Sequence, residues 1–545
     1  MFKVFLNSAI TWIISHWQLL LITAIGGVIF MAGANWGLPV RLHPDEFTIT
    51  QPTVEIIKNQ TFLPNTFAYP AHTIILIDSL VYRLVSLVAN IPLSELIANQ
   101  MYILVLASRI VTGLFAASSV IMAYMIGLQR NRSTALISAL LIVFFPLFTA
   151  HSHYATTDIP ITFFMLLFIY FAILYFRSPD YIRLSLLSVT IALFIATKYP
   201  GAILCAALAI TIIICSVRDK RYANISKHGG TSIFLILLSM FIISPNLFIK
   251  YKAVIKAFTL EARNYHLGAD ELGFIGNLFY YFMLYLSSSG ILLFLFFLLG
   301  CYTLWIKKER FIGWIALFYS FVYWLCLSYI SLHWERWSLP MWITPLLISA
   351  IGINSAWALL DGKRRIILLA VLSVIAINLL MGTMARLLPF LLPDTRVIAM
   401  EYCKSNGISK ENAFYESYTP FSPSGGSRMD FLRAGDKYFV KNRGIEYVIL
   451  SSAMYNRYYA ERQRYPKQAA FYDFLASNFK LIKRFGNPSE RTTVTHYQPS
   501  IRYSAFEGIN IYRTISYIAN TLKLGYDGPE LLFYKVPEEF YLPNE

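Results

Sequence analysis

Residues 10–46 read ITWIISHWQLLLITAIGGVIFMAGANWGLPVRLHPDE, an apolar run that ends in a compact polar cluster. The run, roughly Ile10 to Gly33, is long enough as a helix to cross about 30 Å of hydrocarbon. The cluster that follows, Arg41-Leu-His43-Pro-Asp45-Glu46, places two adjacent carboxylates just beyond a membrane span. An acidic pair there serves as a solvated turn, as a general base, or as ligands for a divalent ion. Which of these applies depends on what the rest of the chain brings to the same depth.

Of the 545 residues, 57% are hydrophobic and 14% charged, well below the roughly 25% charge of soluble domains. Apolar runs of span length recur, so the chain is predicted to be a polytopic α-helical membrane protein. The 36 tyrosines and 41 phenylalanines suit interfacial belts and sugar-binding clefts. The net charge of +16 fits cytoplasmic loops rich in Lys and Arg. No basic stripe with interleaved aromatics stands apart from those loops, so nucleic acid is not expected as a partner. Four cysteines, Cys205, Cys215, Cys301 and Cys326, lie in apolar runs. Cys403 stands alone in a polar region, and no CxxC or zinc spacing occurs. The first span carries no clear small-residue cleavage site before His43 and reads as uncleaved.

Further spans are predicted at 100–127, 133–150, 159–176, 183–197, 200–217, 230–249, 275–305, 311–330, 338–359 and 366–388. With the first, that makes about eleven. The pair flanking Lys198 is short on both sides and can also be read as one helix broken at Pro200-Gly201. Ala71 to Ala89 is apolar but interrupted by His72, Asp78 and Arg83, which favours an interfacial helix in the first outer loop. With the N-terminus in, the inner loops Gln129–Arg132, Arg177–Arg183, Arg218–Lys227, Lys307–Arg310 and Asp361–Arg365 are all basic. That places the C-terminus out. After Pro393 the apolar runs shorten to strand length, as in Tyr447–Leu450, Lys480–Ile482 and Leu531–Tyr534, with amphipathic stretches at Asp394–Ser405 and Pro466–Phe479. The expected division is a transmembrane domain over 1–393 and an extracytoplasmic α/β domain over 394–545.

This topology puts Asp45, Glu46, His151, His153, Asp158, Lys198, Glu261, Arg263, His266, Glu335 and Arg336 at or near the outer face. Acids, histidines and bases gathered at one depth read as a site; scattered loop residues are the alternative. Asp158, before Ile159-Pro160, suits a helix N-cap as well as a catalytic role. Lys198, between two apolar half-helices, is costly there unless it snorkels or meets an anion such as a lipid phosphate. Arg109, inside a long run, needs a partner, and Arg336 lies between Trp334 and Trp337 at the interface. Anchoring to headgroups is the competing reading for all three bases. His43, His151 and His153 have no spacing that resembles a metal site.

In order and sidedness these residues resemble the C-type glycosyltransferases of the protein O-mannosyltransferase and lipid A aminoarabinose transferase superfamily. The matching pieces are His43-Pro-Asp-Glu46, Tyr69-Pro70, Ser108-Arg109, Asp158 before a span, Thr197-Lys-Tyr199, and Arg336 with Pro340 and Pro345. Asp394-Thr-Arg-Val-Ile-Ala399 and Gly444-Ile-Glu-Tyr-Val-Ile-Leu-Ser451 extend the match into the tail. The resemblance implies transfer of a sugar from a polyprenyl-phosphate carrier (undecaprenyl or dolichyl) to an extracytoplasmic glycan, lipid or protein, with inversion at the anomeric carbon. It implies Asp45 as the base, supported by Glu46, with Asp158 orienting substrate or sharing the base role. Lys198, Arg109 and Arg336 would hold the carrier phosphate, and Tyr69, His153, Glu261 and His266 would line the substrate cleft. It leaves a divalent metal cofactor open. An evident β-trefoil insertion, present in eukaryotic protein mannosyltransferases, is lacking, which leaves glycan and lipid acceptors beside protein. The implied setting is the bilayer of a prokaryotic inner membrane, with the site facing outward. Two other readings compete: a flippase or transporter of lipid-linked intermediates, and a sensor or scaffold. A flippase needs a polar path through the bilayer, whereas the polar residues here gather at its outer edge.

Overall fold

The computed structural model describes residues 16–261, 273–306, 310–331, 333–423, 444–460, 462–486 and 511–537. The chain divides into two compact units. One comprises Met1–Ala34, Asp45–Asn264 and Leu272–Thr383; the other gathers Asn35–Pro44 and Met384–Glu545, together with a short segment outside the described residues. The division thus falls ten residues before the expected one, and the second unit also takes in the polar stretch after the first helix.

The first unit is helical. Among the described residues seven helices are long and apolar enough to cross a membrane, or up to nine if each of two bent pairs is one span. Three shorter apolar helices, Trp17–Met31, Tyr181–Thr197 and Ala316–Tyr329, accompany them. Against about eleven expected spans, the differences have local causes. The stretch predicted as one span over 275–305 is two helices, Gly273–Ser289 and Ile291–Ile306, bent by 105°. Gly290 lies between them at φ +82°, a backbone state that side-chain-bearing residues rarely adopt. The stretch predicted over 133–150 bends by 57° between Arg132–Val143 and Pro146–Ser152, where Pro146 opens the second helix. His72–Ala89, expected along the interface, is itself apolar enough to span. Its buried Asp78 is relieved by a hydrogen bond of 2.5 Å from the Ser108 hydroxyl, so the acid does not meet lipid.

How deeply each helix is buried shows which ones form the centre. The apolar windows of Glu335–Leu359 and Asp158–Arg177 are 72% and 67% buried, against 17% for Ala223–Ile243 and 22% for Gly362–Leu391. The two central helices begin at the residues singled out for chemistry, Arg336 and Asp158. Leu339–Leu359 packs closely on Ile291–Ile306 because both carry glycine where they cross. A β-carbon on Gly352 would fall 1.9 Å from the Phe296 carbonyl oxygen, and one on Gly300 2.1 Å from that of Ile348. Small residues of this kind let membrane helices approach backbone to backbone.

The second unit holds a four-stranded sheet: β1 (Ala413–Tyr415), β2 (Tyr447–Ser451), β3 (Lys480–Phe485) and β4 (Leu531–Lys535), in the order β1-β2-β4-β3. β1 and β2 are parallel, with Phe414 opposite Val448, and the other pairs are antiparallel. Both faces of the sheet are covered, which explains why β2 reads as a continuous apolar run instead of alternating. Val448 and Leu450 pack with Tyr472 and Leu475 of the helix Pro466–Asn478. Ile449 packs with Ala399 and Cys403 of the helix Thr395–Ser405. Asp394 caps that helix by accepting from the Arg396 backbone N–H at 2.9 Å. The Arg396 guanidinium donates to the Leu42 carbonyl at 3.1 Å, joining Asn35–Pro44 to this unit.

Glu416 is buried below the sheet, where the Tyr472 hydroxyl and the Ser451 N–H donate to its carboxyl oxygens. Burial pushes the carboxyl up to about 8, against the pull of those two hydrogen bonds. The folded state therefore keeps a proton that the unfolded chain loses above 4.5. The stabilisation is complete below that pH and falls by up to about 1.4 kcal/mol per pH unit until the folded-state pKa is passed. Hydrogen exchange of the β2 amides in the full chain should show opening that eases between pH 5 and pH 8. A pH-independent opening free energy would contradict this placement of Glu416. Gly352→Ala is expected to lower stability in detergent by about 2 kcal/mol or more, read from the unfolding midpoint.

Candidate active site

The turn Pro44–Glu46 presents its two acids in opposite directions. Glu46 is fully buried. It takes both guanidinium branches of Arg109, Nε to Oε1 at 2.7 Å and Nη2 to Oε2 at 2.9 Å. The third guanidinium nitrogen donates to the Ala34 carbonyl at 2.7 Å. Glu46 Oε1 also accepts the Ala155 N–H at 3.1 Å, and Ala155 lies in the loop that leads directly to Asp158. One buried ion pair therefore joins the Asp45 turn, the helix Met101–Leu128 and the loop that delivers Asp158.

Asp45 turns the other way. Its carboxylate meets Arg336 Nη1 at 2.5 Å, with the Asp45 side chain 34% exposed. Arg336 lies in the turn Glu335–Ser338 at the head of a central helix, and its Nε is 3.8 Å from Asp158 Oδ2. Asp158 is the first residue of its helix, and the N-cap position before it is Thr157. The Asp158 Oδ1 receives Lys198 Nζ at 2.7 Å. This corrects the N-cap reading: the carboxylate is drawn to a cation and not to its own helix end. Lys198 has extended backbone (φ −158°, ψ 131°) where the helix Tyr181–Thr197 stops, so its side chain leaves the helical path. The Ala71 N–H donates to the Thr197 carbonyl at 3.1 Å, fixing that stop.

Two acids and two bases thus alternate in a chain, Asp45–Arg336–Asp158–Lys198, drawn from four distant parts of the sequence. Around them His151 Nε2 lies 3.4 Å from Glu335 Oε1. Lys198 lies over the Trp337 ring at 5.7 Å and Arg336 over Trp334 at 5.4 Å. Tyr69 is near enough to act electrostatically on Arg336. Its loop is held by the Tyr199 hydroxyl, which donates to the Phe67 carbonyl at 2.6 Å.

Residues 62–254 match the family described as dolichyl-phosphate-mannose-protein mannosyltransferase. That segment contains Tyr69, Arg109, His153, Asp158 and Lys198, and stops short of Arg336. No curated protein matches the chain. In overall structure the chain is similar to the oligosaccharyltransferase of Archaeoglobus fulgidus in complex with Zn and sulfate. The TM-score is 0.51 at 12% identity, covering 95% of this chain and 88% of that one. It is also similar to the same organism's AglB in complex with an inhibitory peptide and a dolichol-phosphate (TM-score 0.50, 11% identity, 96% and 89% covered). ArnT from Cupriavidus metallidurans in the apo state matches over 98% of this chain and 100% of that one, with TM-score 0.51 and 11% identity. At such identities the likeness is one of fold.

The donor set does not fit a divalent ion. Asp45 and Asp158 already face Arg336 and Lys198, Glu46 is closed on Arg109, and no three metal-ligating side chains converge among the described residues. Of the other expected site residues, His153 turns away from the chain of charges: its Nδ1 lies 2.8 Å from the Thr149 carbonyl oxygen, inside the packing near Arg109. His151, two residues earlier, is the histidine at the cluster. Two residues are about 200° of helical turn, so the pair could not share a face. Glu261 closes the helix Tyr251–Glu261, while Arg263 and His266 lie outside the described residues.

Arg109, expected to bind phosphate, instead donates to Glu46 through Nε and Nη2 and to the Ala34 carbonyl through Nη1. Arg109→Met is expected to cost about 3–5 kcal/mol in detergent unfolding, because Glu46 is left charged and buried. Glu46→Gln with Arg109→Met should recover most of that loss. Wild-type stability in the single variant would argue against the structural role.

Proposed function

We propose that this chain is an integral membrane glycosyltransferase that moves a sugar from a polyprenyl-phosphate carrier to an extracytoplasmic acceptor, with inversion. The observation that carries the reading is the Asp45–Arg336–Asp158–Lys198 chain, in which two cations sit beside two carboxylates at the ends of central helices. The mannosyltransferase match over residues 62–254 and a fold shared with AglB bound to dolichol-phosphate support it. The basic inner loops support an outward-facing site, and an undecaprenyl-type carrier in a prokaryotic inner membrane suits that arrangement.

In this mechanism Lys198 and Arg336 receive the carrier phosphate. Asp45, the more exposed acid, faces the acceptor. The acceptor hydroxyl gives its proton to Asp45 while its oxygen bonds to the anomeric carbon from the face opposite the phosphate. The bond from that carbon to the phosphate oxygen breaks, and the electron pair leaves with the polyprenyl phosphate. The two cations stabilise the charge as it develops on the leaving oxygen. Arg336 gives the scheme an internal logic. Arg336 holds the Asp45 carboxylate until an arriving phosphate draws the guanidinium away, which frees that carboxylate to face the acceptor when donor is present. Asp158 holds Lys198 in place until the phosphate arrives. Glu46 and Arg109 position both acids and touch no substrate.

Asp45→Asn is expected to insert and melt like the parent while losing transfer by at least about 100-fold, measured in reconstituted membranes with labelled lipid-linked sugar. Near-parental turnover by that variant would remove Asp45 as the base. Lys198→Ala should weaken binding of polyprenyl phosphate about ten-fold or more; unchanged affinity would remove Lys198 from the phosphate site.

A further inference from the structure

Beside the charged chain lies a second group of polar atoms that the mechanism does not use. The helix Arg310–Tyr329 packs on Gly273–Ser289, on Leu339–Leu359 and on Asp158–Arg177. It carries Tyr319 and Tyr323 four residues apart, hence on one face, with ring centroids 5.5 Å apart. Both rings are essentially inaccessible, at 0% and 1% exposure. Neither hydroxyl has a hydrogen-bond partner among the described residues. The same is true of the indole N–H groups of Trp337 and Trp342, each 6% exposed.

Two of these groups, Tyr323 and Trp337, adjoin the site, and Tyr319 packs against Tyr323. Tyr323 is close enough to Asp158 and Tyr281 to interact electrostatically with both. Trp337 carries Lys198 over its ring face. Trp342 stacks on Tyr285 at 4.8 Å. A buried hydroxyl or N–H left without a partner costs about 1–3 kcal/mol, and four such groups on three packed elements are too many to be left unmatched. Their chemistry is uniform: each is neutral, each can donate, and each belongs to an aromatic ring. Aromatic faces cover the apolar C–H faces of a sugar ring, while neutral donors match its hydroxyls. A carboxylate-bearing sugar would need a cation here, and an amino sugar an anion. The charged groups nearby, Lys198 and Asp158, belong to the chain that receives the carrier phosphate.

We infer that Tyr319, Tyr323, Trp337 and Trp342 form the pocket for the transferred sugar, and that this sugar is uncharged and rich in hydroxyls. The inference rests on the reading of the charged chain as the carrier-phosphate site. The buried side of that chain, at Asp158 and Lys198, then holds the donor sugar, and the exposed side, at Asp45, receives the acceptor.

Tyr323→Phe removes one oxygen and keeps the ring, so packing is retained. The full chain in nanodiscs is titrated with bare polyprenyl phosphate and with the same carrier bearing mannose or glucose. Tyr323→Phe is expected to weaken the better of the two sugar-bearing carriers about five- to ten-fold. The affinity for bare carrier should stay within two-fold. Tyr319→Phe serves as a second variant, with the same expectation. Sugar-bearing affinity unchanged in both variants would overturn the pocket and assign the four groups to ordered water. Tighter binding of an amino-sugar or uronic-acid carrier than of either neutral one would overturn the sugar class. Failure of the wild-type chain to bind bare carrier at all would instead sink the phosphate site, a separate result.

Discussion

The buried pair Glu46–Arg109 is the constraint on which the active-site geometry depends. Two opposite charges with almost no exposure are expensive to bring together, and the cost is bearable only when every directed bond is made. Here the carboxylate takes two guanidinium bonds and the Ala155 N–H, and the guanidinium reaches the Ala34 carbonyl as well. Moving any of these groups would strand a charge. The pair therefore acts as a register, fixing the Asp45 turn against the loop that delivers Asp158. That role does not require the pair to add net stability.

The exposed half of the acidic pair works on the opposite principle. Asp45, Arg336, Asp158 and Lys198 are each satisfied by a neighbour, yet the contacts are of the kind a phosphate can replace. Arg336 stands between two carboxylates, at 2.5 Å from one and 3.8 Å from the other. A guanidinium shared in this way can turn toward an arriving anion without leaving either acid far from a cation. Adjacent residues thus divide the labour: Glu46 is locked so that Asp45 can exchange partners.

Much of this was legible in the sequence, and the rest was hidden for identifiable reasons. Span-length apolar runs and the break at Lys198 follow from hydrocarbon thickness and the cost of a charge in it. The strands Tyr447–Ser451 and Leu531–Lys535 showed as short apolar runs. β1, only three residues long, offered too little pattern to find. The bend at Gly290 was invisible because hydropathy is blind to backbone direction; only a positive φ reveals it. Arg109, inside a long apolar run, needs a partner, but nothing local links it to Glu46, 63 residues earlier. His151 and His153 could not be told apart until the helix end fixed which face each one occupied. The aromatic excess favours belts or clefts, yet Tyr319 and Tyr323 look like any membrane-helix tyrosines in one dimension.

The electrostatic chain and the aromatic pocket explain each other. In the proposed mechanism Lys198 and Arg336 supply positive charge where a leaving phosphate gains negative charge, and such charge acts strongly only where water is scarce. The rings of Trp334 and Trp337 lie against these two cations, and Tyr319 and Tyr323 are buried on a helix that packs on the same turn, Glu335–Ser338. A pocket lined by further charged groups would compete with the phosphate for the same cations. Neutral donors on aromatic rings avoid that competition: they keep the site dry and can orient a sugar. They also leave Lys198 and Arg336 to respond to the phosphate alone. Chemistry at the phosphate thus favours a neutral lining beside it, which ties the uncharged sugar pocket to the same physical demand that placed the charges.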